Sequence, residues 1–586
     1  MYILGVSCFY HDSSACILKD GEIIAAAAEE RFTRKKHDID FPINSIRFCL
    51  EHAGIGIGDV DHVAFYEKPL QKFERLLHQY LETFPRSWVS FCSSMPVWIN
   101  ERLRIPRLMR KRAKYKGDIC FIEHHMCHAA SSFFVSPYKE AAILTIDGVG
   151  EWATTTLGFA QGNEIELRQQ IRFPHSIGLL YSAVTAHLGF KVNNSEYKVM
   201  GLSPYGDMDR KKNPYYRKLL EDVIDVKPDG SFALNMDYFV YHQKMRMVSK
   251  KFIREFGPIR KRSEEVTKRH MDIAAALQMV TEDVIMKLLD HLHIMTKCDT
   301  LCMAGGVALN SVMNGKILRN TPFKRMFIQP AAGDGGTSLG AALYLYHSVL
   351  GRERGYVQSH SYFGPAYSRE EIKAFLKENG IKHSEFKSEK ELISKTARLL
   401  AEDNVIGWFQ GRMEWGPRAL GSRSILASPM KESMKDVLNL KVKHREKFRP
   451  FAPVVCVEDA SKYFECDLPI PAPADFMLMV YPIKRAKRRE IPAVVHVDGS
   501  GRLQTIRKGQ NPLYYGLIKE FGRITKTPIL VNTSFNIRGE PIIISPFYAY
   551  RCMMGTGIDC LVMDRFLIRR DDNPQDMWDS EAYAKD

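Results

Sequence analysis

The sequence lacks the features that mark secreted, membrane-embedded and fibrous proteins. Its 12 cysteines include no C-x-x-C pair, and several lie in apolar runs, which is typical of a reducing compartment rather than of a disulfide framework. No uninterrupted apolar run reaches the roughly 18 residues needed to span a bilayer. The first residues read as strand, loop and strand rather than as a signal peptide. We therefore expect a soluble, cytoplasmic protein with no membrane partner.

The composition is that of an ordinary globular protein with an excess of positive charge. The 586 residues are 45% hydrophobic and 26% charged, and at roughly 150 residues per domain they suggest about two to four domains. The formal net charge of +15 favours anionic ligands such as nucleotides and phosphates. Basic clusters at 102–116, 250–262 and 484–489 have no aromatic stacking platform beside them, so we interpret them as solvated helix faces and expect no nucleic-acid partner.

Strand patterns divide the chain into related parts. A meander of short apolar strands with a tight Asp-Gly turn occupies 2–28, and a similar unit occupies 141–159. Each unit places an acidic residue and small residues where a strand enters its turn, which indicates two related half-domains. Gly, Ser, Tyr and Pro interrupt the periodic pattern at 351–368. We therefore predict an α/β domain over 1–355 and a second α/β domain over 366–586.

A histidine-rich segment indicates a metal site. EHHMCH (123–128) holds three histidines, and if a helix begins here, His124 and His128 project from one face and can reach one ion. Carboxylates would complete such a site, and Asp147 and Asp334 each follow a strand and precede a glycine. Two imidazoles and two carboxylates suit iron, manganese or zinc. The alternative is a pair of histidines with no metal.

Glycine-rich turns follow two further predicted strands. In AGGVALN (304–310) and AAGDGG (331–336), the backbone N–H groups of Gly305, Gly306 and Gly333 could bind phosphates, while the segment as far as Asn310 borders a base. Glycine at a strand-to-helix turn is equally explained by backbone geometry alone. The turns are therefore candidates for a split nucleotide site rather than proof of one.

The C-terminal part concentrates arginines beside Gly, Pro and Trp. Guanidinium groups bind phosphate oxygens bidentately, so these residues indicate a phosphate-binding chamber, and a scatter of surface arginines is the alternative. The basic residues concerned are Arg412, Arg418, Arg423, Lys443, Arg445 and Arg449. NTSFN (532–536) follows a strand and supplies compact hydrogen-bonding side chains.

Motifs over nearly the whole chain resemble those of the O-carbamoyltransferases of the NodU/CmcH type. The N-terminal motifs are FYHDSSA (9–15), EHHMCHA (123–129), TIDGVGE (145–151), AGGVALN (304–310) and AAGDGG (331–336). The C-terminal motifs are FQGRMEWGPRALGSRSIL (409–426), KHREKFRPFAP (443–453), HVDGSGRLQTI (496–506) and NTSFN (532–536). The resemblance implies a duplicated, actin/hexokinase-like (ASKHA) N-terminal domain and a C-terminal domain similar to the YrdC fold.

The resemblance also implies a reaction in two steps. Such enzymes use ATP and carbamoyl phosphate to make carbamoyl-adenylate in the YrdC-like domain. The carbamoyl group then passes to a hydroxyl of a small-molecule acceptor in the ASKHA-like domain, and AMP is released. An ASKHA-type enzyme that modifies tRNA, and a non-enzymatic ATP-dependent binding module, are the alternatives. The acceptor itself is not specified by the motifs, and a homodimer is an open expectation.

Site residues follow from the matched motifs. The resemblance implies that His124, His128, Asp147 and Asp334 hold a divalent metal, with Fe²⁺ expected there and Mg²⁺ expected with ATP. His11 is the expected general base on the acceptor hydroxyl, since an ordinary pKa near 6.5 suits that task. The residues expected to bind carbamoyl phosphate and ATP are Arg418, Lys443, Arg449 and Ser534, with Arg502 and Asn532 as further candidates.

Overall fold

The computed structural model of the protein describes residues 1–574 and residue 580. The chain divides into two compact units. The N-terminal unit comprises residues 1–29 and 39–358, and the C-terminal unit comprises residues 30–38 and 359 onward. Each unit combines β-sheet with helices, so the α/β prediction is confirmed for both.

The strands of the described residues, in chain order, are β1 Tyr2–Ser7, β2 Ser14–Lys19, β3 Glu22–Ala28, β4 His62–Phe65, β5 Ile119–Phe121, β6 Glu140–Ile146, β7 Ala153–Gln161, β8 Glu164–Arg172, β9 Ile224–Val226, β10 Phe232–Leu234, β11 Thr300–Ala304, β12 Arg325–Ile328, β13 Ser384–Glu385, β14 Ile406–Phe409, β15 Arg423–Ala427, β16 Ala452–Cys456, β17 Met479–Pro482, β18 Ser500–Ile506, β19 Ile529–Ser534, β20 Cys560–Met563 and β21 Phe566–Arg569.

The α-helices are α1 Glu30–Thr33, α2 Ile43–Ala53, α3 Pro69–Glu82, α4 Trp88–Asn100, α5 Ile105–Leu108, α6 His124–Phe133, α7 Ile177–His187, α8 Glu196–Leu202, α9 Pro214–Lys218, α10 Lys250–Phe256, α11 Lys268–Thr296, α12 Ser311–Asn320, α13 Thr337–Tyr344, α14 Arg369–Glu378, α15 Glu389–Ala401, α16 Ser433–Asp436, α17 Val457–Tyr463, α18 Pro512–Thr525 and α19 Pro546–Met554. Among the described residues, none of these helices has the length and apolar character needed to cross a membrane. The expected cytoplasmic location stays a prediction.

The N-terminal unit contains two five-stranded sheets of the same topology. Their strand orders are β3-β2-β1-β4-β5 and β12-β11-β6-β7-β8. In each sheet the strand that comes first in the chain, β1 or β6, lies in the middle. It pairs antiparallel with the next strand in the chain on one side and parallel with a later strand on the other. In the first sheet, Leu4 pairs with Ile17 on the antiparallel side and Gly5 with Ala64 on the parallel side. The predicted duplication of the N-terminal domain is thereby confirmed.

Two helices pack between these sheets and set the position of the site. Helix α6 packs on β6 and β11, helix α13 packs on β1 and β2, and the two helices contact each other. The contact is close because α13 has a glycine there: a Cβ on Gly340 would lie 1.8 Å from the carbonyl oxygen of Cys127 in α6. Strand β11 is buried along its whole length, as expected for a strand covered on both faces.

The C-terminal unit is built on one nine-stranded mixed sheet with the order β13-β21-β20-β14-β15-β19-β16-β18-β17. Helices α15 and α18 pack together, and their apolar residues share a core with the sheet. Trp408, Leu426, Val454, Leu530 and Tyr514 belong to this core. The Arg412 and Arg418 segment follows β14, whereas the Lys443, Arg445 and Arg449 segment precedes β16.

The segment 30–38 belongs to the C-terminal unit although the chain around it belongs to the N-terminal one. Arg34 explains this, because its guanidinium donates to the carbonyl oxygens of Ile542 at 2.8 Å and Pro541 at 2.7 Å. The sequence-based boundary placed all of 1–355 in one domain. Local sequence patterns do not report such a long-range contact, so the assignment of residues 30–38 to the C-terminal unit is visible only in the structure.

Candidate functional site

Four side chains singled out in the sequence converge in the N-terminal unit. Nε2 of His124 lies 3.1 Å from Nε2 of His128 and 3.2 Å from Oδ2 of Asp147. Oδ1 of Asp334 lies 3.7 and 3.8 Å from the two imidazole nitrogens. Ligands about 2.1 Å from a tetrahedral ion are about 3.4 Å from one another. The cluster therefore has the size of one coordination sphere.

The duplicated topology brings these residues together. His124 begins α6, and His128 lies one turn later on the same face. Asp147 directly follows β6, and Asp334 lies between β12 and α13. Since β6, β11 and β12 are parallel neighbours, the carboxyl ends of β6 and β12 meet at one edge of the sheet, where α/β proteins commonly bind ligands.

Burial and mutual charge set the ionisation of the cluster. Burial, reinforced by the charge of His124, lowers the pKa of His128 well below its usual value. Burial alone would also lower the pKa of His124, but the carboxylates of Asp334 and Asp147 raise it. Burial alone would raise the pKa of Asp147, but its hydrogen bond with His124 and the charge of His128 lower it well below its usual value. Burial raises the pKa of Asp334 to about 6.

The donor set fits a divalent metal ion. Within residues 1–574 and 580, neither carboxylate oxygen of Asp334 accepts a hydrogen bond, although both are buried. The Nδ1 atoms of His124 and His128 also lack a partner in this part of the chain. A buried carboxylate without a hydrogen-bond partner is unfavourable, and a cation would relieve that cost. Imidazole nitrogens with carboxylate oxygens suit Fe²⁺, Mn²⁺ or Zn²⁺.

His11 lies beside this cluster. Its Nε2 is 3.6 Å from Oδ2 of Asp334, and its Nδ1 is 3.0 Å from Oδ2 of Asp12. Burial would lower the pKa of His11, but the charges of Asp334, Asp12 and Asp147 raise it to about 10. The sequence-based argument used the ordinary value near 6.5, which omits these carboxylates. Any charge that offsets Asp334 and Asp147 returns the pKa of His11 towards that value.

The glycines of the AGGVALN turn organise Asp147. The N–H of Gly306 donates to Oδ1 of Asp147 at 2.9 Å, and the N–H of Gly305 donates to the carbonyl oxygen of Ala332 at 2.8 Å. Gly305 has a φ of 100°, and a Cβ there would lie 2.1 Å from the carbonyl oxygen of Ile146. Both N–H groups are therefore used within the fold rather than directed at a phosphate, which differs from the role expected for them.

The other two nucleotide-binding candidates occupy different positions. The Asn310 side chain accepts from the N–H of Met313 at 3.1 Å, which caps α12, and donates to Gln278 at 3.0 Å. Gly333 lies next to Asp334 and is half-buried. Among the described residues, only Leu309 comes within 4.0 Å of the position that a Cβ on Gly333 would occupy. Of these two residues, Gly333 retains open space beside the cluster.

Two neighbours of the cluster have clear positioning roles. His125, the third histidine, hydrogen-bonds Thr145 at 2.6 Å and the carbonyl oxygen of Ala153 at 2.9 Å, so it anchors α6 to the second sheet. The carboxylate of Glu151 accepts the N–H of His124 at 3.1 Å from each oxygen, which stabilises the first turn of the helix. Sequence reasoning did not single out Glu151, although it ends the TIDGVGE motif.

In the C-terminal unit, Lys443 meets the NTSFN segment. Its Nζ donates to the carbonyl oxygen of Ser534 at 2.8 Å and to Oγ of Ser534 at 3.2 Å. It also donates to the carbonyl oxygen of Asn536 at 2.6 Å and to its Oδ1 at 2.8 Å. Burial, reinforced by the charges of Arg445 and Arg449, lowers the pKa of Lys443 well below its usual value. Asn536 therefore joins the predicted site residues Lys443, Ser534 and Arg449.

Asn532 connects two further candidates. Its Nδ2 donates to Oε1 of Gln504 at 2.6 Å and to the carbonyl oxygen of Ala419 at 3.1 Å. Ala419 follows Arg418 directly, and Gln504 lies two residues beyond Arg502 on β18, where side chains share a face. Through these neighbours the structure places the Arg418 loop and the Arg502 strand beside Asn532.

Arg423 has a structural role instead. It is fully buried, donates to the carbonyl oxygens of Gln410 at 2.9 Å and Pro365 at 3.1 Å, and stacks 3.7 Å from the ring centre of Phe409. Burial lowers its pKa to about 10. Its guanidinium is therefore committed to the fold rather than to a phosphate.

Glu414 shapes the arginine loop, which sequence reasoning missed. Its Oε1 accepts the N–H groups of Leu420 at 2.7 Å, Ser422 at 2.6 Å and Arg423 at 3.2 Å. The carboxylate is buried, so these bonds hold the turn that follows Arg418. A lone glutamate in a glycine-rich loop gives no pattern from which this role could be read.

Comparison with known proteins assigns the chain to a family. The carbamoyltransferase N-terminus model matches residues 2–343, and the carbamoyltransferase C-terminus model matches residues 397–570. The chain therefore belongs to the carbamoyltransferase family, and the protein is a carbamoyltransferase enzyme. The family predicted from the motifs is confirmed.

Relatives extend over nearly the whole chain. A protein of Synechocystis is 46% identical over 608 residues, covering 98% of this chain and 97% of its own length. The nodulation protein NolNO of Sinorhizobium fredii is 37% identical over 586 residues, covering 98% of this chain and 81% of its own. Among solved structures, component A of the (R)-2-hydroxyglutaryl-CoA dehydratase of Acidaminococcus fermentans matches 60% of this chain and 99% of its own, with 16% identity and a TM-score of 0.31. We infer nothing about this chain from a structural overlap of that size.

Proposed function

We propose that the protein is an ATP-dependent O-carbamoyltransferase whose two units perform successive steps. The C-terminal, YrdC-like unit makes carbamoyl-adenylate in two stages. Water hydrolyses carbamoyl phosphate to carbamate and phosphate, and a carbamate oxygen then bonds to the α-phosphorus of ATP as the bond to pyrophosphate breaks. The N-terminal unit transfers the carbamoyl group to a hydroxyl of a small molecule, a natural product or a sugar. The observation that carries this proposal is the convergence of His124, His128, Asp147 and Asp334 beside His11 in a chain of the carbamoyltransferase family.

The adenylation step is assigned to the basic residues of the C-terminal unit, namely Lys443, Arg449, Arg418 and Arg502. Lys443 holds an ammonium against Ser534 and Asn536, and Arg449 follows on the same segment. Anionic oxygens of carbamoyl phosphate or ATP would compensate the buried charge of Lys443, whose hydrogen-bond acceptors in the described part of the chain are all neutral. Arg418 and Arg502, beside Asn532, are the proposed contacts for the remaining phosphate oxygens.

The transfer step balances as one bond formed and one broken. The acceptor hydroxyl oxygen bonds to the carbamoyl carbon, the bond from that carbon to the adenylate phosphate oxygen breaks, and AMP leaves. Neutral His11 takes the hydroxyl proton on Nε2, while Asp12 holds its Nδ1. A divalent ion, Fe²⁺ in this proposal, would supply charge stabilisation for the phosphate when held by the two histidines and two aspartates. Mg²⁺ is proposed to accompany ATP.

The two steps can be separated with point variants. In His11→Asn, carbamoyl-phosphate-dependent release of pyrophosphate from ATP should persist and carbamoyl-adenylate should be detected by mass spectrometry, whereas carbamoylated hydroxyl compounds should be absent. His291→Asn, on the exposed side of α11, is the matched control and should behave as wild type. Loss of both steps in His11→Asn would contradict the assignment of His11 to transfer alone.

The adenylation site has its own test. Lys443→Met should reduce carbamoyl-phosphate-dependent pyrophosphate release by at least about 100-fold, on the order of 3 kcal/mol of transition-state stabilisation. Lys441→Met, two residues away and without a contact to Ser534, is the control. Pyrophosphate release that does not depend on carbamoyl phosphate in the wild-type protein would contradict the proposed function as a whole.

A further inference from the structure

Arg75 is a buried cation, and two of its three guanidinium nitrogens have no hydrogen-bond acceptor among the described residues. Its side chain lies on α3 and is only 5% exposed. Among residues 1–574 and 580, no acceptor forms a hydrogen bond with its Nε or Nη1. Its guanidinium lies 4.9 Å from the ring centre of Phe173, which orients its plane. An unpaired buried charge is unfavourable by several kcal/mol, so its presence in the fold calls for a partner from outside the chain.

The two carboxylates whose charge reaches Arg75 are engaged elsewhere. Glu67 forms an ion pair with Nζ of Lys72. Glu151 accepts the N–H groups of Lys68 at 2.8 Å and His124 at 3.1 Å. Both carboxylates favour the charged form of Arg75, but burial outweighs them and lowers its pKa, and neither forms a hydrogen bond with Nε or Nη1 of Arg75 among the described residues. A cation in this position remains available to an added oxyanion.

Arg75 also lies beside the proposed transfer centre. Three residues after Phe173, Oγ of Ser176 donates to the carbonyl oxygen of Gly148 at 2.8 Å, and Gly148 directly follows the cluster residue Asp147. On the other side, Nζ of Lys72 lies 5.1 Å from the ring centre of Tyr10. The Tyr10 hydroxyl is 3.9 Å from the position that a Cβ on Gly148 would occupy. The ring that Arg75 contacts is thus three residues from a side chain bonded to this loop, and Lys72, which precedes Arg75 by three residues on α3, contacts Tyr10 beside the same loop.

From these contacts we propose that Arg75, stacked on Phe173 and flanked by Lys72, binds an oxyanion of the hydroxyl acceptor, either a carboxylate or a phosphate group. The inference rests on the proposed function and adds that the acceptor is acidic. A planar guanidinium binds two oxygens of one anion at once, and the aromatic ring keeps it in place. The reacting hydroxyl would then be positioned relative to His11 by an anchor at the opposite end of the acceptor.

Inorganic phosphate is the first probe. Thermal unfolding of the full chain is measured with increasing phosphate at constant ionic strength for wild type, Arg75→Met and the exposed control Arg168→Met. Phosphate should raise the unfolding temperature of wild type and of the control more than that of Arg75→Met. Without phosphate, Arg75→Met should be at least as stable as wild type, because it removes an unpaired charge. An equal phosphate effect in all three, or a less stable Arg75→Met without phosphate, would overturn the proposal.

Three sugars distinguish the two oxyanions. With ATP and carbamoyl phosphate present, carbamoylation of glucose, glucuronate and glucose 6-phosphate is followed by mass spectrometry. Wild type should favour one charged sugar over glucose by at least about tenfold in kcat/KM, and this ratio should fall towards one in Arg75→Met. A preference for glucose would overturn the proposal. Failure of the proposed function appears separately, as an absence of carbamoyl-phosphate-dependent pyrophosphate release in wild type, while the phosphate titration still decides the anion site.

Discussion

Replacing Asp334 by asparagine tests the four-residue cluster most directly. Asp334→Asn keeps the size of the side chain and one carbonyl oxygen but removes a negative charge that is fully buried. It should have opposite effects on the protein with and without a bound metal ion. In chelator the variant should be more stable than wild type, and with Fe²⁺ it should gain much less stability than wild type does.

The expected size follows from the ionisation of Asp334. Its pKa rises from an ordinary 3.8 to about 6, and at about 1.4 kcal/mol per pKa unit the ionised carboxylate costs on the order of 3 kcal/mol in the chelated fold. Because the pKa of Asp334 is higher in the folded protein than in the unfolded protein, the folded protein binds the Asp334 proton more tightly. The stability of chelated wild type should therefore fall as pH rises from about 4 to above 6, and Asp334→Asn should lack this fall.

The assay is thermal unfolding at several pH values, in chelator and under anaerobic Fe²⁺. Free ion at 100 times its dissociation constant stabilises the fold by about 2.7 kcal/mol, which corresponds to a rise of roughly 2–4 °C in wild type. The exposed Asp225→Asn is the control and should respond to Fe²⁺ as wild type does. An equal rise for Asp334→Asn, or a chelated variant less stable than chelated wild type, would refute the reasoning.

Three further outcomes are expected. Lys443→Met should unfold close to the temperature of wild type although it is inactive in adenylation, because removing a buried ammonium offsets the loss of its hydrogen bonds to Ser534 and Asn536; a large loss of stability would make Lys443 a structural residue. Glu414→Ala should lower the unfolding free energy in urea by about 2–4 kcal/mol, since three N–H groups lose their acceptor, whereas Glu414→Gln should lose less. Gly305→Ala should cost about 2 kcal/mol or more by the same measurement, because its Cβ would collide with Ile146, and it should weaken Fe²⁺ binding by displacing Asp147. A Gly305→Ala protein with wild-type stability would contradict the close contact seen at that turn.

Local patterns predicted much of the fold and of the candidate site. Apolar strands ending in Asp-Gly turns indicated the duplicated α/β domain, because strand period and turn chemistry are local properties. The four-residue spacing of His124 and His128 fixed their common helix face before any fold was known. Motif matching supplied Lys443 and Ser534, and the hydrogen bonds of Lys443 join these two residues and add Asn536 from the same NTSFN segment.

The amino-acid sequence by itself determined the chemical types at the site: imidazoles one helical turn apart, aspartates at strand ends, and arginines in constrained loops. Only the tertiary structure decided which of these groups meet, since the contacts are made between residues far apart in the chain. It assigned the amides of Gly305 and Gly306 to the fold, committed Arg423 to backbone carbonyls, and moved residues 30–38 into the C-terminal unit. It also left Nε and Nη1 of Arg75 buried without a hydrogen-bond partner among the described residues, because burial and hydrogen bonding depend on packing that no local pattern records.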